Sequence, residues 1–360
     1  MITTEMGPCT VRLRRRWSTV DGLSRRDASA GVHRRTMSIP LPTPRRSLIA
    51  AGTPAGHIAR DRKAGRTVAV FRGVHVDAVH AAGQLARFRA ALATQGVAAL
   101  IGMQSSAVLL GLRWIPQQWS LPSEPVHIVV PPEDDHRQRP GLRLHRRTTT
   151  ASDVTLANGI PCLSVTRTLV ELARMNLPEL LVVQIIDGAL FDKRTTKAEL
   201  LACLERFAGE RNVAVARSRV ERAREKVRSP QETRLRLMLE DAGVHVEVAI
   251  EISDWDGELL AEGDLGIRKL LLWGEYDGFD THTKRTTFRG DRVGDRWLAR
   301  RGWNVMRFVD EDLSRREATV REWLQAIAEA PARIAAMDPR RSPEVAEARR
   351  LLGFDPPLPS

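Results

Sequence analysis

Apolar residues recur at helical spacing at Leu235, Met238, Leu239 and Ala242, behind Ser229 and Pro230 and ahead of Gly243. Serine suits an N-cap, proline the first helical position and glycine a helix stop, so an amphipathic helix is expected over 230–242. Residues 245–252 then alternate as a strand, Asp254-Trp-Asp-Gly257 supplies a turn, and 259–267 return as the hairpin partner. The unbroken apolar run 270–273 reads as a strand covered on both faces. A helical stretch near 286–301 and an apolar strand over 303–309 follow, a strand-helix-strand unit expected to be parallel and right-handed.

Upstream, Thr43-Pro44 opens a short helix ending at Gly52, and Thr53-Pro54 opens a second ending near Gly65. Residues 67–71 and 74–76 form a hairpin across Arg72-Gly73. Two helices joined by a tight turn and followed by a hairpin make a winged helix-turn-helix. Arg60, Arg62, Lys63 and Arg66 would be its contacts with DNA, although short basic modules also serve as protein contacts. The middle of the chain carries helices near 83–95, 104–112, 166–190 and 195–227 and strands near 126–130 and 142–146. Gln184 and Asp187 interrupt the apolar stretch 180–190, and no run reaches the length of a membrane span. Residues 213–228 alternate acids and bases and read as an exposed connector helix.

The fold class expected is multi-domain α/β. It comprises a basic disordered arm over 1–42, a winged helix-turn-helix over 43–80 and an αβ middle with its connector over 81–228. A mixed sheet flanked by helices over 229–330 and a tail over 331–360 complete it.

Charge adds a direction to this picture. The 360 residues hold 56 Lys and Arg against 44 Asp and Glu, a net +12. Residues 1–72 hold 15 of the former and 4 of the latter, so that segment supplies +11 and the rest is nearly neutral. A basic end on a balanced body is the footprint of a protein that meets an anionic polymer. The first 40 or so residues lack the apolar core of a secretory signal, and are either a disordered arm or sequence upstream of the true start codon. Cys9, Cys162 and Cys203 are scattered and make neither a disulfide framework nor a zinc site, which fits a cytoplasmic protein.

Chemistry concentrates in the segment from Gly263 to Gly278. Glu275 and Asp277 follow a buried strand two residues apart, so both leave the same face while Tyr276 points away. Either they are ordinary solvated acids, or they are protonated or share a cation, and oxygen-rich clusters suit magnesium or manganese. Glu232, three residues after Ser229, is also where a capping box needs a glutamate. Arg285, Arg289, Arg292, Arg296 and Arg300 recur every three or four residues and share one helix face opposite Val293 and Trp297. That face is either simply solvated or grips a phosphate backbone.

The series Ser229-Pro-Gln-Glu-Thr-Arg-Leu, Gly263-Asp-Leu, Gly274-Glu-Tyr-Asp-Gly and Gly302-Trp-Asn-Val-Met-Arg-Phe resembles the PD-(D/E)XK nuclease superfamily, in its Vsr-like endonuclease branch, over about 229–313. The resemblance implies a restriction-endonuclease-like sheet and a magnesium- or manganese-dependent endonuclease. In it Asp264 and Glu275 hold the metal and Glu232 completes the site. The pattern's lysine is replaced by Asp277, a further candidate ligand, and His282 matches a histidine found downstream in relatives that lack the lysine. His282 is then either a proton-transfer group or a solvated loop residue. Residues 43–175, through the winged-helix region, Gly159-Ile-Pro-Cys-Leu-Ser and Thr166-Arg-Thr-Leu-Val-Glu-Leu-Ala, resemble the AbiEi-like antitoxin and regulator domain. The expected partner is DNA, with a toxin or a repair protein as a further one, and no membrane. The competing classes are an antitoxin-like repressor with a degenerate nuclease fold and an RNA-processing nuclease.

Overall fold

Pro44 holds φ at −59° and so ends a two-residue strand, β1 (Thr43–Pro44), and starts α1 (Arg45–Ala50). Thr43-Pro44, expected only as a helix start, is therefore also an edge of a sheet. After α2 (Ala55–Lys63), β2 (Thr67–Phe71) and β3 (Val74–Asp77) form the expected hairpin, with Gly73 at φ 81° in its turn. The strands lie in the order β1-β3-β2, all antiparallel.

The computed structural model describes residues 40–95, 98–133, 138–253, 256, 259–278 and 287–355, with the backbone alone over 287–293. The arm up to residue 39, most of the 254–257 turn, His282 and Arg285 lie outside the described residues. Among the described residues no helix is long and apolar enough to cross a membrane.

The second sheet contains β4 (Leu100–Ile101), β5 (Val126–Val130), β6 (Leu142–Arg146), β7 (Val154–Ala157) and β8 (Ile160–Leu163) in the order β6-β5-β4-β8-β7. Helices α3 (Gln84–Gln95) and α4 (Met103–Leu109) accompany it. A helical layer follows: α5 (Val165–Arg174), α6 (Glu179–Phe191), α7 (Lys197–Glu205) and α8 (Val213–Arg222). The single helix expected over 166–190 is two, because the chain turns extended at Met175 (ψ 156°) and Pro178, which cannot donate to a helix already running, caps α6 instead. The helix expected over 195–227 is also two, broken at Gly209 and Asn212, both at positive φ. The exposed connector expected over 213–228 is corrected as well. Ala216, Val220, Ala223 and Val227 are at most 1 % exposed, so its alternating charges flank a buried stripe.

The third sheet carries β9 (Glu247–Ser253), β10 (Leu259–Ile267), β11 (Leu272–Tyr276) and β12 (Asn304–Phe308) in the order β12-β11-β10-β9. The first three strands are antiparallel neighbours and β11 with β12 is parallel, a mixed sheet as expected. Leu270 and Leu271 turn out to make the turn rather than the strand, since Leu271 sits at φ 51° and the strand starts at Leu272. Helices α9 (Pro230–Asp241), α10 (Thr287–Arg300), α11 (Asp310–Ser314), α12 (Arg316–Ala335) and α13 (Pro343–Leu351) surround this sheet in the sequence. The expected tail contains α13, whose Val345 and Ala348 join the core of the third sheet. Helix α9 serves two cores: Leu235, Met238 and Leu239 pack with that sheet, whereas Leu237 packs with the helical layer of α5 to α8.

Candidate active site

Glu232 stands in the first turn of α9. Ser229 Oγ accepts the Glu232 N–H at 3.1 Å, and Glu232 Oε2 accepts the N–H of Arg228 at 2.9 Å. The carboxylate thus serves the cap, reaching one residue further back than a capping box requires. It is also buried. Burial first, then the charge of Asp264, pushes its pKa up to about 7.

Asp264 takes over where a ladder stops. The β10–β11 pairing runs from Ile267 with Leu272 to Leu265 with Gly274. At the next residue the Asp264 side chain replaces the backbone, and Oδ2 accepts the Tyr276 N–H at 2.8 Å. Burial raises its pKa, while that N–H and the charge of Arg228 oppose the rise. The glycine before it has a packing reason. A Cβ on Gly263 would lie 2.4 Å from the Trp273 indole, which needs this space.

That indole in turn fixes Glu275: Trp273 Nε1 donates to Oε1 at 2.8 Å. The strand register sets Glu275 beside Arg307 on the parallel neighbour β12, and Arg307 Nη1 meets Oε2 at 2.7 Å. Burial still raises the Glu275 pKa, against the lowering effects of Trp273 and Arg307. Asp277 donates its N–H to Phe308 O at 2.8 Å, and its two oxygens receive Arg307 Nη1 at 3.1 and 3.2 Å. Tyr276 points the other way, as expected, and its hydroxyl donates to Asp310 Oδ1 at 2.7 Å.

Arg307 is the residue that sequence reasoning missed. Two acids on one strand face call for a shared cation, and here a guanidinium supplies it. Its Nε and Nη2 donate to Asp295 on α10 at 3.2 and 2.6 Å. Burial works against its charge, but Asp295, Glu275 and Asp277 together raise its pKa. The available signal was an arginine inside a strand whose neighbours Met306 and Phe308 are core residues. Beside it a cavity of about 360 Å³ opens, lined among others by Trp273, Glu275, Asp295, Trp297 and Arg307.

Of the arginine stripe, Arg296 and Arg300 are exposed on α10, and Arg289 and Arg292 belong to the same helix. In the amino-terminal unit Arg60, Arg62 and Lys63 are exposed around the end of α2, whereas Arg66 is tied to Asp61, with Nε donating at 3.1 Å. Among the described residues no three His, Cys, Asp or Glu side chains stand close enough to hold a metal ion. Carboxylate oxygens are of the kind that suits a hard divalent cation, and Asp264 Oδ2 and Glu232 Oε2 each accept one backbone N–H. No protein-family model matches this chain, and no curated protein matches it.

Proposed function

We propose that this protein is a metal-dependent DNA endonuclease of the Vsr-like PD-(D/E)XK type, with its amino-terminal helices and hairpin acting as a DNA-binding winged helix. One observation carries the reading. Glu232, Asp264 and Glu275 come from a helix and two strands, burial raises the pKa of each, and the charge of Asp264 raises those of Glu232 and Glu275 further. A chain that keeps three acids where their charge is disfavoured sacrifices stability at that place, which is the mark of a functional site.

Asp264, Glu275 and Glu232, with Asp277, would hold magnesium or manganese. Such an ion supplies positive charge against a scissile phosphate and acidifies an attacking water. The chain's own residues do the positioning: Trp273 and the Tyr276 N–H orient Glu275 and Asp264. Arg296 and Arg300, with Arg289 and Arg292 on the same helix, grip the flanking strand electrostatically. His282 takes or delivers a proton near neutral pH. Arg60, Arg62 and Lys63 anchor the duplex at the other end of the chain.

A second reading has its own support. Arg307 already neutralises Glu275 and Asp277, and the pattern's lysine is absent, which suits an antitoxin-like regulator with a nuclease-derived fold. Cleavage of plasmid, nicked, branched and single-stranded DNA and of RNA, with magnesium or manganese, separates the two. The nuclease reading expects metal-dependent cutting that Asp264→Ala and Glu275→Ala abolish, while DNA affinity stays about the same. Absence of cutting on every substrate, with duplex binding retained, establishes the regulator.

A further inference from the structure

β7 is the last strand of the second sheet and pairs on one side only, with β8. An edge of this kind invites another strand unless it is blunted. The opposite edge, β6, is blunted by Arg143 and Arg146, whereas β7 reads Val-Thr-Leu-Ala and carries no charge. Its Leu156 is 71 % exposed. The turn Asn158-Gly159, with both residues at positive φ, closes a two-residue hairpin that sets Leu156 opposite Pro161. A proline has no N–H to give, so this pair shares no hydrogen bond, and the N–H and C=O of Leu156 point away from β8.

That edge borders a cavity of about 490 Å³. Residues 155–158 line it without a gap, which an edge can do and one face of a strand, showing every second residue, cannot. Its other walls include Leu110 at the end of α4, Val165 at the start of α5, and Arg194. Among the described residues Arg194 is the one charged side chain in the lining, and no acid accompanies it. Arg194 is exposed, and its Nη1 donates to Leu110 O at 2.7 Å, which steadies the guanidinium over the groove.

We propose that this edge takes the C-terminal end of another protein as an added strand, with its α-carboxylate on Arg194. The free N–H and C=O of Leu156 suit a peptide backbone, the walls at Leu110 and Val165 suit an apolar side chain, and a guanidinium without an acid beside it suits one negative charge. A nucleic-acid strand would bring a charge at every nucleotide to a groove with a single arginine. The edge is also short: a 3-10 turn at Ala151–Asp153 bounds it on one side and the Asn158-Gly159 turn on the other. The end of a chain fits there better than a strand running through. None of the acids of the third sheet takes part, so this docking site and the nuclease reading are independent.

Random heptapeptides displayed with free C-termini and selected on the full chain are the probe. The enriched peptide, made with a fluorescent label, should bind about tenfold more weakly when its terminus is amidated. Arg194→Gln should weaken the free acid by the same factor and leave the amide unchanged, because both changes remove one contact. Leu156→Pro takes away an outward N–H and no hydrogen bond to β8, so it should abolish binding in a chain that circular dichroism shows to be folded. Should that variant not fold, hydrogen exchange at the Leu156 amide of the unmodified chain decides in its place, and the peptide should slow it. Failure to enrich any peptide overturns the proposal, as does a peptide that binds Arg194→Gln or folded Leu156→Pro as tightly as the unmodified chain, or leaves the Leu156 amide exchange unchanged. A dimer in sedimentation that Leu156→Pro dissolves also overturns it, since the edge then belongs to a second copy of this chain.

Discussion

In the middle of the chain Asp153 and Glu171 are ringed by arginines, whereas Glu232, Asp264 and Glu275 at the third sheet are not. Arg167 donates to both acids of the first pair, at 3.2 Å to Asp153 and 2.6 Å to Glu171, Arg206 grips Asp153 at 2.6 Å and Arg147 reaches Glu171 at 3.0 Å. Burial raises the pKa of Asp153 and Glu171, but these arginines, joined at Asp153 by the N–H and hydroxyl of Thr150, more than cancel it and both end below the ordinary carboxylate range. At the third sheet burial prevails and all three acids end above it. Both clusters are made of buried carboxylates, so burial alone does not mark a functional site, and the two differ in how far their neighbours offset it.

The comparison breaks most sharply at Arg167, which is 1 % exposed. Arg167→Leu leaves two carboxylates short of their central partner and should cost about 3–5 kcal/mol of stability, measured by urea denaturation. A loss below 1 kcal/mol would mean the remaining arginines suffice, and the contrast with the third sheet would weaken.

The acids of the third sheet predict an effect of opposite character. Glu232 has a folded pKa of about 7 against its ordinary 4.5, so the folded state binds its proton more tightly. Its contribution to stability is fully present below about pH 4.5 and is lost as pH rises through about 7, about 3 kcal/mol in all. Urea midpoints taken from pH 4.5 to 8 without metal should fall over that window, and Glu232→Gln should flatten the fall. An equal slope in the variant would remove Glu232 from the cluster.

A smaller effect concerns Asp264. Asp264→Asn keeps an oxygen for the Tyr276 N–H and removes one charge from the cluster, so at pH 8 it should stabilise the metal-free chain by about 1 kcal/mol. Destabilisation there would place Asp264 with the compensated acids of the middle.

The third sheet was legible in outline because its strands alternate and its helices carry local caps. Ser229 does cap α9, β9 and β10 do pair, and β11 and β12 do run parallel. What escaped were features set by contact rather than by period. Pro178 divides one apolar stretch into two helices, and a positive φ at Leu271 turns half of an apolar run into a turn. In the site, the acids declared themselves as charges after an apolar run, whereas Arg307 was hidden because its partner Glu275 lies 32 positions away on another strand. Gln184 and Asp187, which looked like interruptions of a hydrophobic segment, proved to be contacts with the start of α9. Gln184 donates to Pro230 O at 2.7 Å, and Asp187 receives Thr233 at 2.8 Å and Arg236 at 3.0 Å.

Those last contacts bear on how such a chain can be inherited. Asp187 and Arg236 are both 0 % exposed and lie on opposite sides of the point where the nuclease-like sequence pattern begins. A recombination event that cut at Ser229 and moved the acidic sheet to another chain would deliver Arg236 with only Glu240, 3.0 Å away on the same helix, and leave Asp187 behind without its guanidinium. The half left behind would hold a buried carboxylate without its guanidinium, a penalty of about 3–5 kcal/mol, a large share of the stability of a modest domain. The pattern starts at Ser229, but a seam does not. A piece of this chain that travels intact has to take α6 with it.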